Sequence, residues 1–220
     1  MAAASPLAAQ QKIELLFTGN FLGERVWPKT GETWLGLYLS SPGYRLAATR
    51  IRVEQVADAC GGTATKVSAE TTAQPYLLLK GLDRVRPGPV DTAFAGMEFL
   101  YPGQSLSIKL SEPERWSYLR ALGTASVRRG EILFTDYRLE LRDSGRIDAG
   151  GQAIFQSKAL TLDNTPKLRW AGDLDRDGRL DLLLQIPIGG YSTRLVLLLS
   201  SRASRPQLVK EVASFDQLDC

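Results

Sequence analysis

The chain has 220 residues, of which 44% are hydrophobic and 23% charged, with a formal charge of +3; these are values of a folded globular protein and exclude a fibrous or disordered one. Its basic residues are scattered (Arg45, Arg50, Arg52, Arg84, Arg86, Arg128, Arg129) rather than gathered in one run, which argues against nucleic-acid binding, and no stretch approaches the ~20 apolar residues of a membrane span. Histidine is absent, and with it every Ser-His or Cys-His nucleophile pair, every His-ligated metal site and the commonest general base.

Residues 1–10 are small and apolar without a charged n-region, and read as the remnant of a processed secretory signal or as an arbitrary chain start. Residues 11–220 read as a single β-rich domain, because the hydrophobic signal that follows is mostly of period two. Strand patterns cover Lys12 to Phe17, Trp34 to Ser40, Tyr44 to Val56 and Tyr76 to Lys80. The loop Gly81 to Asp91, with Pro87 and Pro89, is the best place for a sub-boundary. Further strand patterns cover Gly96 to Tyr101 and Ser105 to Leu110. Glu114 to Leu122 reads as a short helix with Trp116 and Leu119 on one face.

In the segment that ends at Arg142, Tyr137, Leu139 and Leu141 alternate with charged residues, and Asp143-Ser144-Gly145 turns the chain into a strand around Ala153 to Gln156. Leu168 to Gly172, Leu180 to Ile186 and Arg194 to Ser200 complete the strand set, and Gln207 to Phe215 reads as a second short helix. The expected fold is therefore mainly β, with antiparallel sheets arranged as a sandwich or a barrel and few short helices.

Thr33 to Ser41 and Thr193 to Ser201 share the pattern T-x-L-x-L-x-L-S-S, 160 residues apart, and the same offset carries Cys60 onto Cys220. A decayed internal duplication explains this, with chance leucine patterning as the alternative. If the segments are equivalent, Leu35, Leu37 and Leu39 should point inward as Leu195, Leu197 and Leu199 do. The two cysteines suit one structural disulfide in an oxidising compartment; two free thiols are the other reading.

The chemistry concentrates in WAGDLDRDGRLDLLL. Asp173, Asp175, Asp177 and Asp181 occupy positions 1, 3, 5 and 9 of a loop whose position 6 is Gly178. Alternate residues of a tight loop can turn their carboxylates inward while the glycine permits the backbone reversal, and the carbonyl of Arg179 falls inside the same cage. Four carboxylates so close repel one another unless a cation neutralises them. Calcium fits best, since it takes six to eight oxygen ligands in flexible geometry, whereas magnesium demands a tight octahedron and zinc prefers His and Cys. An EF-hand is disfavoured because loop position 12 is Leu184 and strand-like sequence follows. The alternative is a metal-free turn in which Arg176, Arg179 and Arg194 offset the aspartates.

Residues Gly172 to Leu183 resemble the calcium loop of FG-GAP/VCBS-type repeats, including the blades of integrin-like propellers, in which D-x-D-x-D-G-x-x-D joins two strands. The resemblance covers a dozen residues and occurs once in the chain. It implies Asp173, Asp175, Asp177 and Asp181 as carboxylate ligands, Arg179 as a carbonyl ligand and Gly178 as the turn residue.

No catalytic residue is assigned. Glu112 and Glu114, or Asp136 and Glu140, as an acid/base pair, and Ser157-Lys158 as a nucleophile site, read better as strand surface. The function expected is an extracytoplasmic (periplasmic or secreted) calcium-binding module, non-catalytic, whose partner is an unidentified protein or glycan. The runner-up is a glycan-active protein, binder or hydrolase, that uses exposed tryptophans among Trp27, Trp34, Trp116 and Trp170 together with a carboxylate pair.

Overall fold

A computed structural model of the chain describes residues 12–22, 28–41, 43–57, 61–83, 85–111, 115–145, 150–189 and 192–218. Apolar side chains on alternate positions bury one face of nearly every segment, so the chain forms strands: β1 (Glu14–Leu16), β2 (Gly19–Leu22), β3 (Thr33–Ser40), β4 (Gly43–Ala57), β5 (Thr63–Ala69), β6 (Leu77–Lys80), β7 (Gly88–Phe99), β8 (Ser105–Leu110), β9 (Arg115–Arg128), β10 (Glu131–Asp143), β11 (Gln152–Thr161), β12 (Lys167–Asp173), β13 (Asp181–Gly189), β14 (Ser192–Leu199) and β15 (Lys210–Leu218). Every pairing is antiparallel.

Among the described residues there is no helix, and both expected helices are strands. In β9 the buried residues are Ser117, Leu119 and Ala121, while Trp116 is 40% exposed on the opposite face. The period is two, and pairing with β8 and β10 satisfies the backbone on both sides. Ala213 and Phe215 alternate inward in β15 in the same way. Long-range pairing overrides a weak helical pattern in both places.

One sheet runs β1-β6-β3-β4-β7-β12-β13-β14-β15, with β5 and β2 branching from β4. It curls until β15 packs beside β1 and β2, which makes a nearly closed barrel. The inner core holds Leu15, Trp34, Leu37, Leu46, Leu78, Trp170, Leu183, Leu195, Leu197 and Phe215. A second, four-stranded sheet, β11-β10-β9-β8, covers the outside of β12, β13 and β14. Between the two sheets lies a second core with Leu119, Tyr137, Leu139, Leu168, Leu182, Leu184, Val196 and Leu198. Leu182 to Leu184 and Leu195 to Leu199 are therefore apolar at every position because they are buried on both faces.

The segment at residues 81–91 sends Leu82 and Val85 into the inner core, and β7, which starts within it, pairs with both β4 and β12. The two leucine segments, β3 and β14, lie in the same sheet, each followed by an antiparallel hairpin partner. Leu37 and Leu197 are both fully buried in the inner core, but Leu39 is 73% exposed, against the inward position expected for it. The pairing of β3 with β6 stops at Leu37, so no strand covers Leu39 on that side, whereas Leu199 is enclosed. Cys60 and Cys220 lie outside the described residues.

Candidate metal site

The acidic loop joins β12 to β13, whose pairing closes at Gly172 opposite Asp181. A Cβ at Gly172 would meet the Asp91 carbonyl oxygen at 2.3 Å, so only glycine lets β7 lie this close to β12 beside the loop. Arg176 (φ 61°) and Gly178 (φ 74°) both take the left-handed conformation, which folds the loop back on itself. Asp173 fixes that reversal: its carboxylate accepts the N–H groups of Asp177 at 3.0 Å and Gly178 at 2.8 Å.

Carboxylate oxygens of Asp173, Asp175 and Asp177 lie within 4.8 Å of one another, so these three form a group able to hold a metal ion. Each is bonded differently. Asp177 accepts the Arg179 N–H at 2.9 Å and the Arg179 guanidinium at 2.9 and 2.6 Å, and it lies 2.9 Å from the Ser200 hydroxyl. Asp175 accepts the Ser201 hydroxyl through one oxygen, while the other is buried without a hydrogen-bond partner. Burial, with a smaller contribution from neighbouring carboxylates, holds Asp173 and Asp175 above the ordinary carboxylate range.

Asp181 stands outside this group of three. It is fully buried and accepts the Leu174 N–H at 2.9 Å, the Ser200 N–H at 2.8 Å and, at 3.0 Å, the Ser200 hydroxyl, whose single proton serves either Asp181 or Asp177. Its carboxyl is pushed well upward, first by desolvation and then by the charge of Asp175. The sequence-predicted set thus divides into three convergent carboxylates and a fourth that ties the loop to the end of β14.

The arginines also divide. Arg179 offsets Asp177 with its side chain. Arg176 instead donates to the carbonyls of Arg86 and Pro89 at 3.0 Å each, which pins the loop to the start of β7, and Arg194 pairs with Asp216 at 2.6 Å. The aspartate spacing does not point to Ser200 and Ser201, which both meet the loop. Their signal was present as the S-S that ends the leucine pattern, but nothing local shows that this end of β14 meets the loop.

No family model, curated protein or solved structure matches the chain.

The cluster itself tests whether a cation fits. Three carboxylates converge, one guanidinium faces them, and one buried oxygen lacks a donor. An anion-rich, oxygen-only pocket with an unsatisfied acceptor suits a hard cation.

Other expected chemistry is not assembled. Trp34 and Trp170 are core residues, Trp27 lies outside the described residues, and Trp116 alone shows a substantial face, next to Lys109. Glu140 is buried between Arg138 and Arg142, and Ser157 donates to the carbonyl of Ala159 on the sheet surface. Glu112 and Glu114 lie outside the described residues. No helix among the described residues is long and apolar enough to cross a membrane.

Proposed function

We propose that the chain is a calcium-binding, non-catalytic interaction module that works outside the cytoplasm. The observation that carries the reading is the buried oxygen of Asp175, unpartnered beside Asp173 and Asp177. Asp173, Asp175 and Asp177 would hold the ion, with Asp181 and the Arg179 carbonyl completing the set that the FG-GAP/VCBS-type resemblance implies. The ion would neutralise the cluster and cross-link the loop to the end of β14. Calcium is favoured over magnesium because several of these oxygens are already committed to N–H and O–H donors, which leaves an irregular cage rather than an octahedron. Calcium sites of extracellular modules work at dissociation constants of ~10⁻⁴–10⁻³ M. The cysteine pair, read as one disulfide, would suit the same location.

The test is a thermal melt in EDTA and in millimolar calcium, with calorimetric titration of the metal. At free calcium ten times the dissociation constant, linkage adds ~1.4 kcal/mol, or about 3–6 °C in a domain of this size. Asp175→Ala should remove most of that shift. A wild-type melting temperature equal in both conditions, with no heat of calcium binding, would mean that the loop is only an acidic turn.

A further inference from the structure

The strands that carry the acidic loop at one end carry a different device at the other. Lys167 pairs with Gln185 and Gly172 with Asp181, so the far end of the β12–β13 ladder lies ~17 Å from the loop. There the inner face of the barrel changes from leucine to polar residues: Gln185 and Gln217 follow the inward-facing Leu183 and Phe215. With Phe17, Asn20, Tyr76 and Arg169 they line an open cleft of about 480 Å³ at the mouth of the barrel, a usual place for a ligand site in such folds.

Arg169 is placed there by a β-bulge. The register of β12 against both β7 and β13 skips this residue, between Leu168, which faces the outer core, and Trp170, which faces the inner one. Bulges re-aim side chains, and this one adds a guanidinium to the inner face. Tyr76 braces it: its hydroxyl lies against the carbonyl oxygens of Arg169 and Gly96. The guanidinium packs over the Phe17 ring at 5.1 Å and donates from Nη1 to Gln185 Oε1 at 2.8 Å, while its Nε–H is buried without a partner. Among the described residues Arg169 has no carboxylate partner, and no other residue lining the cleft is charged.

We infer that the cleft binds a small organic monocarboxylate with an apolar or aromatic body, the carboxylate on Arg169 and the body against Phe17 and Tyr76. A single planar guanidinium matches one carboxylate in charge, and its Nη2, which makes no hydrogen bond among the described residues, is left to donate to it. The neutral amides of Gln217 and Asn20 add donors and no competing charge. The inference does not rest on the calcium reading, and the test is run in EDTA.

Benzoate and its neutral isostere benzamide are titrated against the whole chain and followed by amide chemical shifts. Benzoate should perturb Asn20, Gln185, Gln217 and their neighbours with a dissociation constant on the order of 1 mM, the scale set by a ligand of this size. Benzamide should bind at least tenfold more weakly, and Arg169→Gln should reduce the affinity for benzoate at least tenfold and abolish the preference. Equal binding of benzoate and benzamide by the wild type overturns the inference, as do perturbations confined to other surfaces or undiminished benzoate binding by the variant. Should Arg169→Gln not fold, the wild-type contrast between the two compounds still decides.

Discussion

At Asp181 two roles meet in one carboxylate. Spacing alone makes it the ninth-position ligand of an acidic loop, yet its oxygens already accept two buried backbone N–H groups, from Leu174 and from Ser200, which lies 19 residues away. Asp181→Ala should therefore destabilise the protein even in EDTA, by ~2–6 kcal/mol, because each of the two orphaned buried donors costs ~1–3 kcal/mol. Asp175→Ala should be neutral or mildly stabilising in EDTA, since it removes a buried like charge, and should show its loss only in calcium. Urea denaturation of both variants in the two conditions checks this. A small loss for Asp181→Ala in EDTA would mean that its hydrogen bonds carry little. The convergence of Asp173, Asp175 and Asp177 was legible because alternate positions of one loop fix it. The serines, just beyond β14, and the real partners of Arg176, around the start of β7, lie far from the loop in the chain, and no local pattern reveals them.

Elements were legible where one face is buried and the other wet, as in β4, β8 and β10. The sequence was misleading where a strand departs from that state. β9 begins as the middle of a sheet and ends as an exposed ribbon, so its apolar residues thin out and mimic a helical spacing. β12 contains a bulge, which breaks the period at the residue that carries the polar mouth of the barrel. A contact between elements was hidden as well. Gln152 of β11 uses its side-chain amide as a strand would use its backbone, accepting the N–H groups of Leu208 and Val209 and donating to the Val209 carbonyl at 2.8 Å. This clamps the four-stranded sheet to the segment that leads into β15. Gln152→Ala should cost ~1–3 kcal/mol by leaving part-buried backbone groups unmet, read as a lower urea midpoint with an unchanged slope. An unaltered midpoint would show that the two sheets are held by apolar packing alone.

For the whole molecule, the decisive arrangement is that β12, β13 and β14 are walls of both cores. The continuous leucine runs hinted at two-sided burial, but the strand order β4-β7-β12 rests on pairings between residues far apart in the chain, which the sequence does not expose. Stability should follow this plan. Amides of β13 and β14 should exchange with solvent only through global unfolding, whereas those of the β9–β10 tip, exposed from residue 122 to residue 132, should exchange through local opening. Hydrogen exchange followed by mass spectrometry resolves the two regions. Protection of the tip equal to that of β13 would contradict a stability hierarchy set by the shared strands.

Burial on both faces also leaves a liability in the unfolded chain. Leu195 to Ser201 has no charge and no proline, and its strong strand preference is the pattern of segments that stack on identical copies into dry cross-β interfaces. In the native sheet β13 and β15 occupy both edges of this segment. During refolding the protection comes from its flank, where Arg194 places a charge directly before the run, the position of a gatekeeper against aggregation. Arg194 is half-exposed and paired with Asp216, so its removal should cost the folded state at most about 1 kcal/mol. Dilution of Arg194→Ala from urea should nevertheless scatter more light than the wild type at equal concentration, and equal scattering would show that another charge guards the segment.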